Sequence, residues 1–276
     1  MDSVRRNGRD VLPAARLVWG WAMTKPMLSL QLFSMRGLGD LGTQLEKAAG
    51  AGFGAVEPLE GHLRDAGLLQ NGLLRNGLTA PSAHVGLEAL RRERQRFVEA
   101  CQQCGIGQLF VPHPGPSLVK DTKAGWQRIG HELGALSEQM KADGIMLGYH
   151  NMMAGFDRTI GGRYGFELMF EAARGSPLVW QADIAWLARA QPNAGEWIRH
   201  YAGVLVSVHV KDQAPDDMDP EEDGWANVGS GVLLWPSLWR AAVASGARLF
   251  VVEHDNPRLP FEFAARSYAY LSRFLT

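Results

Sequence analysis

A (β/α)8 barrel is the fold this sequence predicts, and three observations predict it. From Met27 onward, eight short apolar runs alternate with longer segments of helical periodicity. Glycines separate the helical segments from the runs that follow them. The last four runs each end on a histidine or a carboxylate, at His150, Asp183, His209 and Glu253. An open doubly wound sheet gives no reason for four strands to send such residues to one point, whereas a closed parallel barrel gathers its strand ends around one rim.

In chain order the runs are MLSLQLF, GAVE, LTAPSAH, QLFVP, IMLGYH, LVWQAD, VLVSVH and RLFVVE. Their number and spacing suit the ~250 residues typical of such barrels. Between the third and fourth runs, Leu90, Phe97, Val98 and Cys101 line one side of a helix from Leu87, with the RRERQR charges turned away. Between the fourth and fifth, Trp126, Ile129, Leu133, Leu136 and Met140 recur at spacings of three and four, which lines one helix face. Gly52, Gly77, Gly105, Gly144, Gly175, Gly203 and Gly246 stand where a helix ends in a left-handed turn before the next strand. Phe33 is expected to close the first strand. Lys211 to Gly231 is the longest non-periodic stretch and is rich in acids. A loop after a strand lies over the mouth of a barrel, so this one is placed to act as a lid.

With 276 residues, 46% hydrophobic and 21% charged, the chain can bury a full core. No linker divides it, so residues 27–276 read as one domain. Residues 1–26 read as an N-terminal extension or an over-called start rather than an export signal, because the apolar stretch LVWGWAM is short and no convincing cleavage site follows. A cytoplasmic location follows by default. A net charge of -1 argues against a nucleic-acid partner. No apolar stretch approaches the ~20 residues of a membrane helix. Two cysteines make no disulfide framework, and Cys101 and Cys104, at the end of a helix, read as packing residues. A homo-oligomer is compatible with all of this.

Taken singly, His150 is a core histidine, Asp183 a helix N-cap for IAWLARA, and His209 and Glu253 ordinary strand-end residues. Four in succession make a metal site of two imidazoles and two carboxylates. That mixed N/O set suits one Mn, Co, Zn or Fe ion better than Mg or Ca. Asn151, Lys211 and His254 are placed to orient the ligands. Trp186, three residues after Asp183, and Phe33 are placed to offer apolar walls for the face of a ligand. His113, ending the fourth run, is divided evenly between pocket lining and loop structure.

LSLQLFSMR, GFGAVEP, SAHVGLEAL, LGYHN, QADIAWLARA, VSVHVKD, NVGSGVLLWPSL and FVVEHDNP together resemble the xylose isomerase-like barrel superfamily of sugar phosphate isomerases/epimerases, in its branch with a Tyr-His-Asn-His fifth strand. HVKD with VGSG is the most specific pair, and the resemblance runs from about Met27 to the C-terminus. It implies metal ligation by His150, Asp183, His209 and Glu253, and puts Glu57 and His84 beside the substrate. Two departures stand out. Many relatives carry Glu at the place of His150, where two glutamates act as paired bases; here only Glu253 remains. Met152 and Gly155 replace a histidine and an acid, which makes that side of the pocket less polar.

The expected chemistry is proton abstraction from a carbohydrate by Glu253, with His84 or Lys211 returning or shuttling the proton. The expected substrate contacts are Glu57, His84, His113, Asn151, Trp186 and Lys211. Return to the opposite face gives epimerisation, return to the neighbouring carbon isomerisation, and loss of a β-oxygen a dehydratase or lyase reaction on a keto-inositol or 3-keto-glycoside. A catalytically silent sugar-binding barrel is the remaining alternative. A phosphodiesterase on the same fold needs more metal ligands and a basic surface, which the charge does not provide.

Overall fold

The computed structural model of the protein describes residues 25–112, 121–215 and 220–275. Eight parallel strands form the barrel: Met27–Gln31, Val56–Glu57, Ser82–His84, Gln108–Pro112, Met146–His150, Val179–Asp183, Leu205–Val210 and Leu249–Val252. They are called the first to the eighth strand below. Each falls within one of the eight apolar runs or, for the seventh, extends one residue beyond it. Continuous pairing follows the order two, one, eight, seven, six, five, four, three. The second and third strands meet only through the isolated bridges Ala55–Thr79 and Leu59–His84, so the ring is nearly closed.

Helices wrap the outside and bury one face each, as their periodicity requires. On Lys123–Ala142, Trp126, Ile129, Leu133 and Met140 are buried and Leu136 is half-buried. Leu87–Cys104 buries Leu90, Phe97, Val98 and Cys101, but it bends at Glu93, whose φ of -135° is not helical. Gly77 and Gly105 end their helices at φ of 63° and 70°, a left-handed conformation that glycine adopts without a Cβ clash. Gly203 departs from the expected punctuation and has no such φ.

The first strand stops at Gln31, and Phe33 lies in a 3-10 turn spanning Leu32–Leu38 rather than at the strand end. The Lys211–Gly231 stretch is not structureless. Asp212–Gln213 pairs antiparallel with Trp225–Ala226. Among the described residues, no helix is long and apolar enough to cross a membrane. His113 and the acids Asp216, Asp217 and Asp219 lie outside the described residues, as do residues 1–24 of the N-terminal segment.

Side chains alternate across a strand, so every second residue points into the barrel. Its lower part is closed by Phe110, Met146, Val179 and Val206. Above that plug the interior turns polar. Ser29, Gln31, Glu57, Ser82, Gln181 and Ser207 are all buried. The apolar core proper lies between barrel and helices, where Trp180, Phe166, Phe156, Trp197 and Tyr201 pack ring against ring. A rigid apolar shell around a polar, hydrogen-bonded interior is what positions the site.

Candidate metal centre

Asp183 ends the sixth strand and opens the helix Ile184–Ala190, and its two oxygens divide the work. Oδ1 accepts a hydrogen bond from the Trp186 backbone N–H at 2.9 Å, the helix cap expected of an aspartate in this place. Oδ2 is buried without a hydrogen bond, facing the Lys211 Nζ at 3.0 Å. His209 occupies the penultimate position of the seventh strand and is fully buried. Its Nδ1 lies 2.7 Å from Glu253 Oε2 and its Nε2 lies 2.7 Å from Glu57 Oε1. His150 closes the fifth strand, and Glu253 directly follows the eighth.

These four residues form one group. His150, Asp183, His209 and Glu253 each offer a donor atom, all within 4.8 Å of one another, and all four are buried. The mixed donor set fits a divalent cation, and Asp183 Oδ2, ion-paired with Lys211 but accepting no hydrogen bond, is a buried anionic oxygen that such an ion can take up. A second group, His84, His150 and His209, meets the same distance limit.

Beneath this cluster sits Glu57. Oε1 accepts from Gln31 Nε2 at 2.8 Å and faces His209 Nε2 and His84 Nε2, the latter at 3.0 Å. Oε2 accepts from Gln181 Nε2 at 2.8 Å and from the Ser82 hydroxyl. Burial alone raises a carboxyl pKa, but here the His84 and His209 charges and hydrogen bonds prevail and hold Glu57 well below the usual range. Gln181 spans the barrel. Its Nε2 also donates to Ser207 Oγ at 3.1 Å, and its Oε1 lies 2.7 Å from His84 Nε2 and 3.0 Å from His150 Nδ1.

The imidazoles respond oppositely to their surroundings. Burial lowers His150 well below its ordinary value, and the nearby His209 and His84 charges add to the effect. Burial also opposes charge on His209, yet Glu253 and Glu57 on its two sides push it up to about 10. Glu253 is held well below the carboxylate range: burial works against ionisation, and the Lys211 and His209 charges overcome it.

The residues matched to the family of xylose isomerase-like TIM barrels run from 45 to 274. The chain belongs to that family. A sugar phosphate isomerase/epimerase from Parabacteroides distasonis superimposes with a TM-score of 0.74 at 21% identity, over 96% of this chain and 100% of the other. A probable 3-DHS dehydratase from Bacillus anthracis, involved in petrobactin synthesis, gives 0.70 at 10%, over 89% and 98%. A D-psicose 3-epimerase crystallised with D-fructose gives 0.67 at 13%, over 90% and 99%. At these identities the likeness is one of fold. No curated protein matches the chain.

In this xylose isomerase-like barrel the remaining predicted residues fall into two settings. Lys211 is buried at the mouth, its ammonium 2.7 Å from Asp255 Oδ1 and 3.0 Å from both Asp183 Oδ2 and Glu253 Oε2. Burial disfavours its charge, but the three carboxylates raise its pKa regardless. Trp186 meets Trp225 edge to face at 4.9 Å, and the Arg189 guanidinium stacks on Trp225 at 3.2 Å while donating to the Asp223 and Gly224 carbonyls. The loop after the seventh strand is thereby fastened over the rim. Asn151, by contrast, turns its amide to the Asp183 backbone and the barrel–helix core. Oδ1 accepts from the Asp183 N–H at 3.0 Å and from Trp180 Nε1 at 2.9 Å, and Nδ2 donates to the Asp183 carbonyl at 3.1 Å.

Sequence reasoning missed Gln31, Ser82, Gln181, Ser207, Trp225 and Asp255. A signal existed for three of them. Ser82, Gln181 and Ser207 each stand two residues before a strand-end His84, Asp183 or His209, so the period of two puts them on the same inward face.

Proposed function

We propose that this barrel is a divalent-metal-dependent isomerase or epimerase of a small keto-sugar or related polyol. The observation that carries the reading is the buried group His150, Asp183, His209 and Glu253 at the rim, with Asp183 Oδ2 accepting no hydrogen bond. The names of the fold relatives, a sugar phosphate isomerase/epimerase and a D-psicose 3-epimerase, support the substrate class. Mn, Co, Zn or Fe suits the mixed nitrogen and oxygen donors better than Mg.

A bound divalent ion supplies a Lewis acid that acidifies the C–H between a carbonyl and a neighbouring hydroxyl. Glu253 takes that proton. Its carboxylate is ionised at neutral pH, the form a base needs. The charges that keep it ionised also weaken it as a base, so it depends on an acidified C–H. Lys211, beside Glu253, and His84, within the imidazole cluster, return the proton to carbon or oxygen. Trp186 and Trp225 supply an aromatic wall for one face of the sugar. Glu57, first expected beside the substrate, meets it only if it reaches past the imidazoles, and Asn151, expected there too, has its amide bonded to the Asp183 backbone and Trp180 instead.

Elimination is the second reading, favoured by the dehydratase among the fold relatives and by the single glutamate base. The test is solvent-deuterium exchange into a panel of ketoses and keto-sugars after metal restoration. Exchange without β-elimination supports isomerase chemistry, release of an unsaturated product supports the dehydratase, and silence across the panel overturns both. Glu253→Gln retains an oxygen ligand but no base, so exchange is expected to vanish at saturating metal.

A further inference from the structure

Two overlapping groups of side chains are close enough to share an ion, and distance does not choose between them. The hydrogen bonds beneath them decide which nitrogen of His150, common to both groups, can serve. Glu57 is a buried carboxylate and can only accept. Gln181 must therefore turn its NH2 toward Glu57 Oε2, 2.8 Å away, and the contact to Ser207 Oγ agrees with that orientation. Its carbonyl oxygen then faces the imidazoles, 2.7 Å from His84 Nε2 and 3.0 Å from His150 Nδ1. An amide oxygen only accepts, so both of those nitrogens carry protons. The same logic applies to both nitrogens of His209, Nε2 being 2.7 Å from Glu57 Oε1 and Nδ1 2.7 Å from Glu253 Oε2.

We infer that Gln181, its amide oriented by Glu57, is a tautomer lock that leaves His150 Nε2 as the nitrogen a metal can use. Any lone pair that His150 offers is on Nε2, because Nδ1 keeps its proton for Gln181. At His209 both nitrogens face carboxylates, so a metal on the Glu253 side must displace the Nδ1 proton. Gln181 touches neither the proposed metal position nor the mouth; it is a positioning residue that acts through the rings.

The consequence for metal binding rests on the proposed function, but the lock itself does not, and one experiment separates them. Long-range proton–nitrogen correlation spectra on 15N-histidine-labelled protein report which ring nitrogens are protonated. In the metal-free wild type, His150 is expected to carry its proton on Nδ1; Nε2–H with a bare Nδ1 overturns the lock. Zinc is expected to shift His150 Nε2, and coordination through His150 Nδ1 overturns the lock as well. Gln181→Met removes the acceptor at similar volume, and zinc affinity should fall roughly 10–100-fold with His150 losing its fixed tautomer. Ser29→Ala, in the same barrel interior but with a hydroxyl bonded to none of these groups, should leave both readouts unchanged. Unaltered zinc affinity in Gln181→Met refutes the positioning role. Should the wild type take up no zinc, the metal reading fails while the metal-free spectrum still decides the lock.

Discussion

Lys211 is the residue whose position carries the most consequence. Its ammonium lies 3.0 Å from Asp183 Oδ2 and from Glu253 Oε2, two of the four proposed metal ligands. A positive charge there neutralises the buried carboxylates in the metal-free protein and repels a divalent ion that would share them. Lys211→Met should therefore lower the melting temperature of the metal-free protein and tighten metal binding, by about tenfold if only a fraction of the ~4 kcal/mol between near-surface charges is recovered. Titration calorimetry with Mn or Zn checks it, and unchanged or weaker affinity counts against the arrangement. Deuterium exchange should be lost in the same variant if Lys211 also moves the proton, which separates its two roles. The four ligand candidates were legible in the sequence because each stands at a strand end. Gln181 was not singled out, since a lone glutamine in LVWQAD resembles any strand residue until the barrel brings His84 and His150 to its side.

Among the elements, the loop from Lys211 to Gly231 shows why HVKD and VGSG occur together. Asp212 leaves the seventh strand and turns its carboxylate into the following loop. Oδ2 accepts from the Gly229 N–H at 2.9 Å and the Gly231 N–H at 3.3 Å, while Oδ1 accepts from Leu233 at 3.1 Å and Gln213 at 2.9 Å. At Gly231 a Cβ would lie 2.3 Å from both Asp212 Oδ1 and the Gln213 carbonyl, so no larger residue fits without displacing the carboxylate. Asp212→Ala leaves several of these N–H groups unpaired and should cost about 2–3 kcal/mol, one unsatisfied buried donor being worth ~1–3 kcal/mol. Urea denaturation measures it. Loss of the tether should also loosen the Trp225 wall over Trp186, raising KM more than it lowers kcat. The motif pair was visible in the sequence, but the four-donor carboxylate behind it was not. Nor was the hairpin, because two-residue strands are too short to show alternation. The bend at Glu93 was hidden in the same way, since the apolar positions of Leu87–Cys104 keep their helical spacing across it.

For the whole molecule, the polar barrel interior makes stability a function of both pH and metal. A histidine with a raised pKa contributes stability that is complete below its unfolded value and is lost as pH rises through the folded one. His209, pushed up to about 10, therefore weakens the metal-free fold progressively between pH 6.5 and 10. Burial pushes His150 well below 6.5 and His254 down to about 4, so the native state resists protons the unfolded chain accepts, and stability is lost as pH falls from 6.5. Asp255, raised by burial to about 6, opposes this on the acid side only between 3.8 and 6. Below 4.5 the depressed Glu57 and Glu253 add to the acid loss. The metal-free protein should thus have its highest melting temperature near pH 6.5. A divalent ion must displace the Nδ1 proton of His209, so its affinity should rise with pH across the alkaline limb while the metal-free fold weakens. Bound ligand stabilises by RT ln(1 + [L]/Kd), and the gap between metal-loaded and metal-free melting temperatures should widen from pH 6.5 to 9. Differential scanning calorimetry with and without chelator across that range measures the gap directly. A gap that narrows instead would mean that His209 is not the ligand whose proton the metal replaces.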